Sequence, residues 1–172
     1  AEQVPALSTV GSPATAPSAI SVGATTNGHR FVNSLRVPGS DVPANLRLVH
    51  ALFGDGPRPA EPVTAPLRDA AVVAGDDGLA CAALPPGSFT GAFALIRRGV
   101  CSFEEKALNA RAAGAVGTVF YMSDAEEIFS PGGVATVGIP TAMISFEAGT
   151  ALRGFLAGHP DHPVTLNPGI TA

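Results

Sequence analysis

The sequence predicts an α/β domain built on a strand, a helix and a second strand parallel to the first. Residues 92–96 are apolar on both parities, the pattern of a strand covered on both faces. Residues 102–114 carry a helix start signal followed by a helical stripe, and residues 115–122 turn apolar again. The helix between the two runs is too long for a hairpin, so the connection is a right-handed crossover. The 20 Gly and 16 Pro divide the rest of the chain into short segments, which favours a sheet-rich domain with long connections.

Within that central unit, Arg97 and Arg98 end the first strand. Ser102 is the helix N-cap, Glu105 its capping-box partner, and Glu104 lies in the first turn near the positive end of the dipole. Phe103, Ala107, Ala110 and Gly114 recur on one face, a stripe of one large and three small residues that lets the helix sit close to a sheet. Leu108 falls off the stripe, and its partner is left open. The second run contains Val116, Val119, Phe120 and Tyr121.

Composition bounds the rest. The 172 residues are 46% apolar and 14% charged, enough to bury the core of one domain and unlike a disordered chain. No apolar run approaches the roughly 20 residues of a membrane span. Net charge is −4, the largest basic cluster is the Arg97–Arg98 pair, and the nine Phe and one Tyr have no interleaved basic partners, which excludes a nucleic-acid footprint. Lys106 is the sole lysine. The first ten residues lack the basic and apolar regions of a targeting segment, so the chain is expected to be mature or cut from something longer.

Before the central unit, residues 31–66 read as loop-rich, with turn clusters at 37–41 and 54–57. Leu46, Leu48 and His50 alternate with Arg47, Val49 and Ala51, which predicts a strand. Residues 70–73 predict a second strand, ended by Gly75-Asp76-Asp77-Gly78. Paired carboxylates beside Gly could ligate calcium, but no further acidic residues follow at ligand spacing, so a turn is expected.

After the central unit, residues 123–138 form a polar, Gly-rich connection of unusual length, and such connections are often functional. Residues 139–144 predict a strand in which Pro140 requires an edge or first position. Ser145 caps a final helix with Glu147 in its first turn and Ala148, Leu152, Phe155 and Leu156 on its buried face. Gly158 ends that helix, and residues 164–166 form a last short strand. His159 and His162 flank Asp161, but Pro160 and Pro163 prevent a helical turn that would aim both imidazoles at one ion, so an exposed loop is expected. His29 and His50 are isolated. Cys81 and Cys101 lie twenty apart without metal-ligand spacing, leaving a disulfide or two inert thiols.

The stretch 94–117, with Leu-Ile-Arg-Arg-Gly, then Cys-Ser-Phe, then Lys106, Asn109, Ala110 and Ala113-Gly114-Ala115, resembles the central signature of the protease-associated (PA) domain. That module is non-catalytic and occurs in subtilisin-like proteases, some aminopeptidases and sorting receptors. The resemblance extends over about residues 72–156, roughly half the chain. It implies, for residues 31–172, a mixed sheet curled into a barrel or sandwich, with a βαβ core and two flanking helices. It also implies that Cys81 and Cys101 are paired, contributing about 3 kcal/mol by the chain-entropy account, that the parent is secreted, and that no cofactor is held.

Residues 11–24, Gly-Ser-Pro-Ala-Thr-Ala-Pro-Ser-Ala-Ile-Ser-Val-Gly-Ala, are similar to the stretch of a subtilisin-like catalytic domain that follows the oxyanion-hole asparagine. Residues 1–30 are therefore expected to be a fragment of such a domain. With three Pro in the first seventeen residues and little apolar area, it would be poorly ordered in isolation.

A subtilisin-like protease needs an Asp, a His, a Ser nucleophile and an oxyanion hole. The chain has no Gly-Thr-Ser-Met, His-Gly-Thr or Asp-Ser/Thr-Gly segment, so the 172 residues are expected to hydrolyse nothing by themselves. The reading that follows is an accessory domain of a secreted subtilisin-like serine protease, helping to recognise or gate protein substrates. Its partners would be the catalytic domain of the same parent and a protein or peptide substrate. The expected contact surface is the loop after the second parallel strand, with Met122, Ser123, Asp124, Glu126, Glu127 and Ser130, because ligands collect beyond the carboxyl ends of parallel strands. Two alternatives are a free-standing peptide-binding or sorting module and the PA insert of a zinc aminopeptidase. The run at 11–24 argues against both.

Overall fold

Seven short strands close on themselves in the computed structural model, which describes residues 32–171. The elements in order are β1 (Val32–Arg36), β2 (Leu48–Phe53), β3 (Val63–Asp69), α1 (Ala70–Ala74), β4 (Phe93–Arg97), α2 (Phe103–Ala112), β5 (Gly117–Tyr121), β6 (Thr141–Ile144), α3 (Phe146–Gly158) and β7 (Pro163–Thr171). Around the barrel they run β1-β2-β6-β5-β4-β3-β7, and β7 pairs with β1 to complete the ring. β3, β4, β5 and β6 are mutually parallel, whereas β1, β2 and β7 join by antiparallel pairing, so the sheet is mixed. The expected fragment at 1–30 lies outside the described residues.

The crossover unit is present as expected. β4 and β5 pair in parallel from Phe93 opposite Gly117 to Arg97 opposite Tyr121. Alternation sorts their side chains: Phe93, Leu95, Val119 and Tyr121 join the barrel interior, while Ala94, Ile96 and Phe120 face an outer layer beneath α2. The Ser102 Oγ accepts from the Glu105 N–H at 3.2 Å and starts α2. Ala107 and Ala110 are fully buried, and Phe103 packs on Phe120 with ring centroids 4.9 Å apart. Gly114 has φ +95°, and a Cβ there would press on Thr90, which explains the glycine at the foot of the stripe. Leu108 lies exposed.

α3 closes the end of the barrel where the parallel strands finish. Ser145 Oγ accepts from the Ala148 N–H at 3.2 Å, and Leu152, Phe155 and Leu156 enter the interior cluster with Leu35, Leu67 and Ile144. Gly149 rests directly on Tyr121, where any Cβ would overlap the tyrosine's Cβ and Cγ.

Several elements differ from the expectation. Residues 70–73 are helical, not extended: the Asp69 carboxylate accepts from the Ala71 N–H at 3.0 Å and starts α1, so the strand is the segment before it, Val63–Asp69. The strand expected over Leu46 to Ala51 is displaced to Leu48–Phe53 because Leu46 belongs to a 3-10 turn, Ala44–Leu46. β1 lies in a stretch read as loop, and the last strand spans nine residues, since it must pair with both β1 and β3 to close the ring. The two expected helices are α2 and α3, and α1 is a third.

Candidate functional site

β3, β4, β5 and β6 all finish on one side, at Asp69, Arg97, Tyr121 and Ile144. The turn after β4 and the loop after β5 share this side. Among the expected contact residues, Met122 is fully buried and its N–H donates to the Ile144 carbonyl at 3.2 Å, so it belongs to the core and not to the loop's outer surface. Ser123 is half-buried with its Oγ 3.1 Å from an Asp124 carboxylate oxygen, and Asp124 also accepts from the Glu126 N–H at 3.2 Å. Asp124, Glu126 and Glu127 are exposed. Ser130 is tied down, its hydroxyl donating to the Phe53 carbonyl at 2.5 Å.

The loop is anchored along most of its length. Phe129 stacks edgewise on Phe103 at 6.0 Å, and the Arg98 guanidinium sits 5.1 Å from the Phe129 centroid and 3.9 Å from Glu126. Farther on, the Asp55 carboxylate accepts from the Gly133 and Val134 N–H groups at 2.9 and 2.8 Å. Those bonds favour the ionised form and hold its carboxyl below the usual range. Arg111 donates to the Val137 carbonyl at 2.9 Å, and Val134 and Val137 are fully buried. The acidic crest at 124–127 is exposed, with Glu126 beside Arg98 and Asp124 bonded to its own neighbours.

The turn after β4 adds an apolar point that sequence reasoning missed. Val100 has φ +62°, a strained conformation for a β-branched residue, and its side chain is 91% exposed. The disulfide between Cys81 and Cys101 holds this turn, with Cα atoms 5.7 Å apart.

Lys106 and Asn109, two of the signature residues, serve the same segment. The Lys106 ammonium donates to the Leu79 carbonyl at 2.5 Å and lies 3.6 Å from Cys81 Sγ, and Asn109 donates to the Ala80 carbonyl at 2.9 Å. Lys106 is fully buried, and desolvation lowers its pKa to about 8 against the opposing charges of Asp77 and Glu105.

The other polar clusters are also tied into the fold. The Asp69 carboxylate, buried between the Ala71 N–H and the Arg153 Nε at 2.7 Å, joins β3 to α3. That bond holds the Arg153 proton more tightly, and burial pushes the nearby Tyr121 hydroxyl up. Asp76 and Asp77 accept from the Gly78 and Leu79 N–H groups, forming the expected turn. His159 stands 2.9 Å from Asp41, and His162 donates to the Pro38 carbonyl at 2.6 Å. The two histidines thus clasp the loop after β1, a role the sequence did not suggest. His29 lies outside the described residues. Among the described residues no group of three or more His, Cys, Asp or Glu is placed to hold a metal ion, and no helix is long and apolar enough to cross a membrane.

Residues 63–152, slightly more than half of the chain, match the family described as PA domain. The chain belongs to that family. Solved structures similar to this PA domain include a zinc aminopeptidase from Bacillus subtilis, 28% identical with a TM-score of 0.57, matched over 80% of this chain and 30% of the aminopeptidase. An aminopeptidase from Aneurinibacillus sp. strain AM-1 is 23% identical with a TM-score of 0.56, over 81% of this chain and 30% of the other. A subtilisin-like protease from the Antarctic psychrotroph Pseudoalteromonas sp. AS-11 is 15% identical with a TM-score of 0.50, over 79% and 32%. The last two share the fold alone. This PA domain thus spans about a third of each of these proteins, and no curated protein matches it.

Proposed function

We propose that the chain is the non-catalytic accessory domain of a larger, secreted subtilisin-like serine endopeptidase, and that it meets protein substrates through the loop after β5. The observation that carries the choice of host is the pairing of a PA domain with the run at 11–24, whose similarity is to a subtilisin-like catalytic domain. The disulfide accords with an oxidising, extracellular setting. The acidic crest at 124–127, Val100 and Phe129 give the loop side of the barrel exposed charge beside exposed apolar surface, which is what a protein-binding patch needs.

A second reading, the PA insert of a zinc aminopeptidase, is favoured by the 28% identity to the Bacillus subtilis enzyme. The two are separated by expressing the complete reading frame that contains these residues. In the first reading a fluorophosphonate labels and inactivates the product and a zinc chelator does not, while the 172 residues alone take no label and cleave no casein. Inactivation by the chelator, with release of N-terminal amino acids only, would establish the second reading and overturn the first.

A further inference from the structure

The two sulfurs of the disulfide have unlike surroundings. Cys81 and Cys101 are both half-buried, and Cys101 lies between exposed Val100 and exposed Ser102, so one side of its turn is open to solvent. Lys106 Nζ lies 3.6 Å from Cys81 Sγ, held there by its bond to the Leu79 carbonyl, and the lysine is fully buried. Asn109 fixes the same segment through the Ala80 carbonyl at 2.9 Å. The ammonium therefore acts on one sulfur of the pair at short range.

Thiol–disulfide exchange requires one sulfur to leave with an electron pair, and the sulfur whose thiolate is better stabilised leaves faster. A neighbouring cation stabilises a thiolate, and a buried charge is screened less than an exposed one. Both effects favour Cys81 as the leaving sulfur. Cys101 has a competing source of stabilisation, because it precedes the N-cap of α2, where the helix dipole presents about half a positive charge. That end is already answered: Ser102 Oγ accepts from the Glu105 N–H, and the exposed carboxylates of Glu104 and Glu105 lie in the first turn. The full charge beside Cys81 outweighs it.

We infer that Cys101 is a site of covalent modification by a small thiol, with Cys81 the sulfur released and Lys106 the positioning charge that sets this direction. An incoming thiolate forms a bond to Cys101 Sγ, the Cys81–Cys101 bond breaks, and its electron pair goes to Cys81, whose thiolate faces the Lys106 ammonium. A second thiolate attacks the sulfur of the attached molecule and leaves with it as the small disulfide. Cys101 is released as a thiolate and takes a proton from water, so two thiols supply the two electrons of a complete reduction. The inference needs only residues of this domain and holds for either parent.

The test uses the full 172-residue chain, native and Lys106→Met, in millimolar glutathione with iodoacetamide present to cap the released sulfur. Trypsin cuts after Arg97 and Arg98, so the two cysteines fall in different peptides and mass spectrometry counts which one carries glutathione. At pH 7 the native chain is expected to carry it on Cys101 about tenfold more often than on Cys81, and the variant to show no more than about a twofold preference. At pH 9.5 the native preference is expected to fall about threefold or more. By then the Lys106 ammonium, brought to about 8 by burial against the opposing charges of Asp77 and Glu105, has lost its proton. The neutral amine still donates to Leu79, so a purely structural role for Lys106 would leave the preference unmoved by pH. Glutathione on both cysteines equally in the native chain, a preference unchanged by pH, one unchanged in a folded Lys106→Met, or no modification of either cysteine overturns the inference. Should the variant fail to fold, the native preference and its pH dependence decide alone.

Discussion

Burial of Lys106 makes the stability of the fold rise with pH just above pH 8, below the range in which an unfolded tyrosine titrates. The chain has one lysine, both cysteines are joined, and the single tyrosine is pushed above its ordinary value by burial. Desolvation brings the folded pKa of Lys106 down to about 8 from the ordinary 10.5. Below the folded value both folded and unfolded chains hold the proton, and the cost of burying the ammonium is fully present. Between the two values only the unfolded chain holds it, so stability rises with pH, and above the upper value the cost is gone. At roughly 1.4 kcal/mol for each pH unit in which only the unfolded chain binds the proton, the gain from pH 8 to pH 9.5 is about 1.5 kcal/mol. Urea unfolding of the native chain and of Lys106→Met at both pH values measures it. Methionine keeps the stem and has no proton to lose, so the rise is expected in the native chain and absent in the variant. A native chain whose stability is flat or falls over this range, or a variant that shows the same rise, would refute the argument that the ammonium is desolvated.

Two further outcomes follow from close packing and from the anchored loop. Gly149→Ala forces a methyl into Tyr121, and the overpacking costs about 2 kcal/mol, more than the gain in helix propensity restores. A denaturant midpoint at or above the native value would show that α3 can lift off the barrel end freely. Asp55→Ala removes the acceptor for the Gly133 and Val134 N–H groups, so those amides should lose protection from hydrogen exchange while β4 and β5 keep theirs. Because the Asp55 carboxyl is held below its usual range, its contribution is present at neutral pH. It is lost as pH falls through the folded value, so the same amides in the native chain should lose protection in acid.

Much of the central unit was legible because its signals are local. Ser102 and Ser145 cap the helices that their neighbours predict, and the two apolar runs pair as parallel strands. The paired cysteines were legible only through the family resemblance, since spacing alone left free thiols open. α1 was misread because four small apolar residues suit a strand or a helix equally, and the Asp69 cap decides between them. β1 and β7 were missed or shortened because each holds polar or Pro positions that become tolerable only when the strand finds a distant partner, as Leu35 does opposite Leu166.

The candidate site divides the same way. That a long polar loop follows the second parallel strand is written in the chain, but its residues do not share one environment. Met122 is drawn into the core by pairing with Ile144, and Ser130 is bound to Phe53, leaving the acids between them outside. A lysine on a helix reads as a solvated charge, yet Lys106 is buried because residues 79–81, fastened by the disulfide, lie over it.

By itself the sequence determined the crossover unit, its helix caps and its family, since these rest on contacts within a few residues and on a motif readable in one pass. The closed ring and the burial of its one lysine were decided only by tertiary structure. Each depends on residues far apart in the chain, whose meeting is set by strand order and by how α3 seals the barrel end.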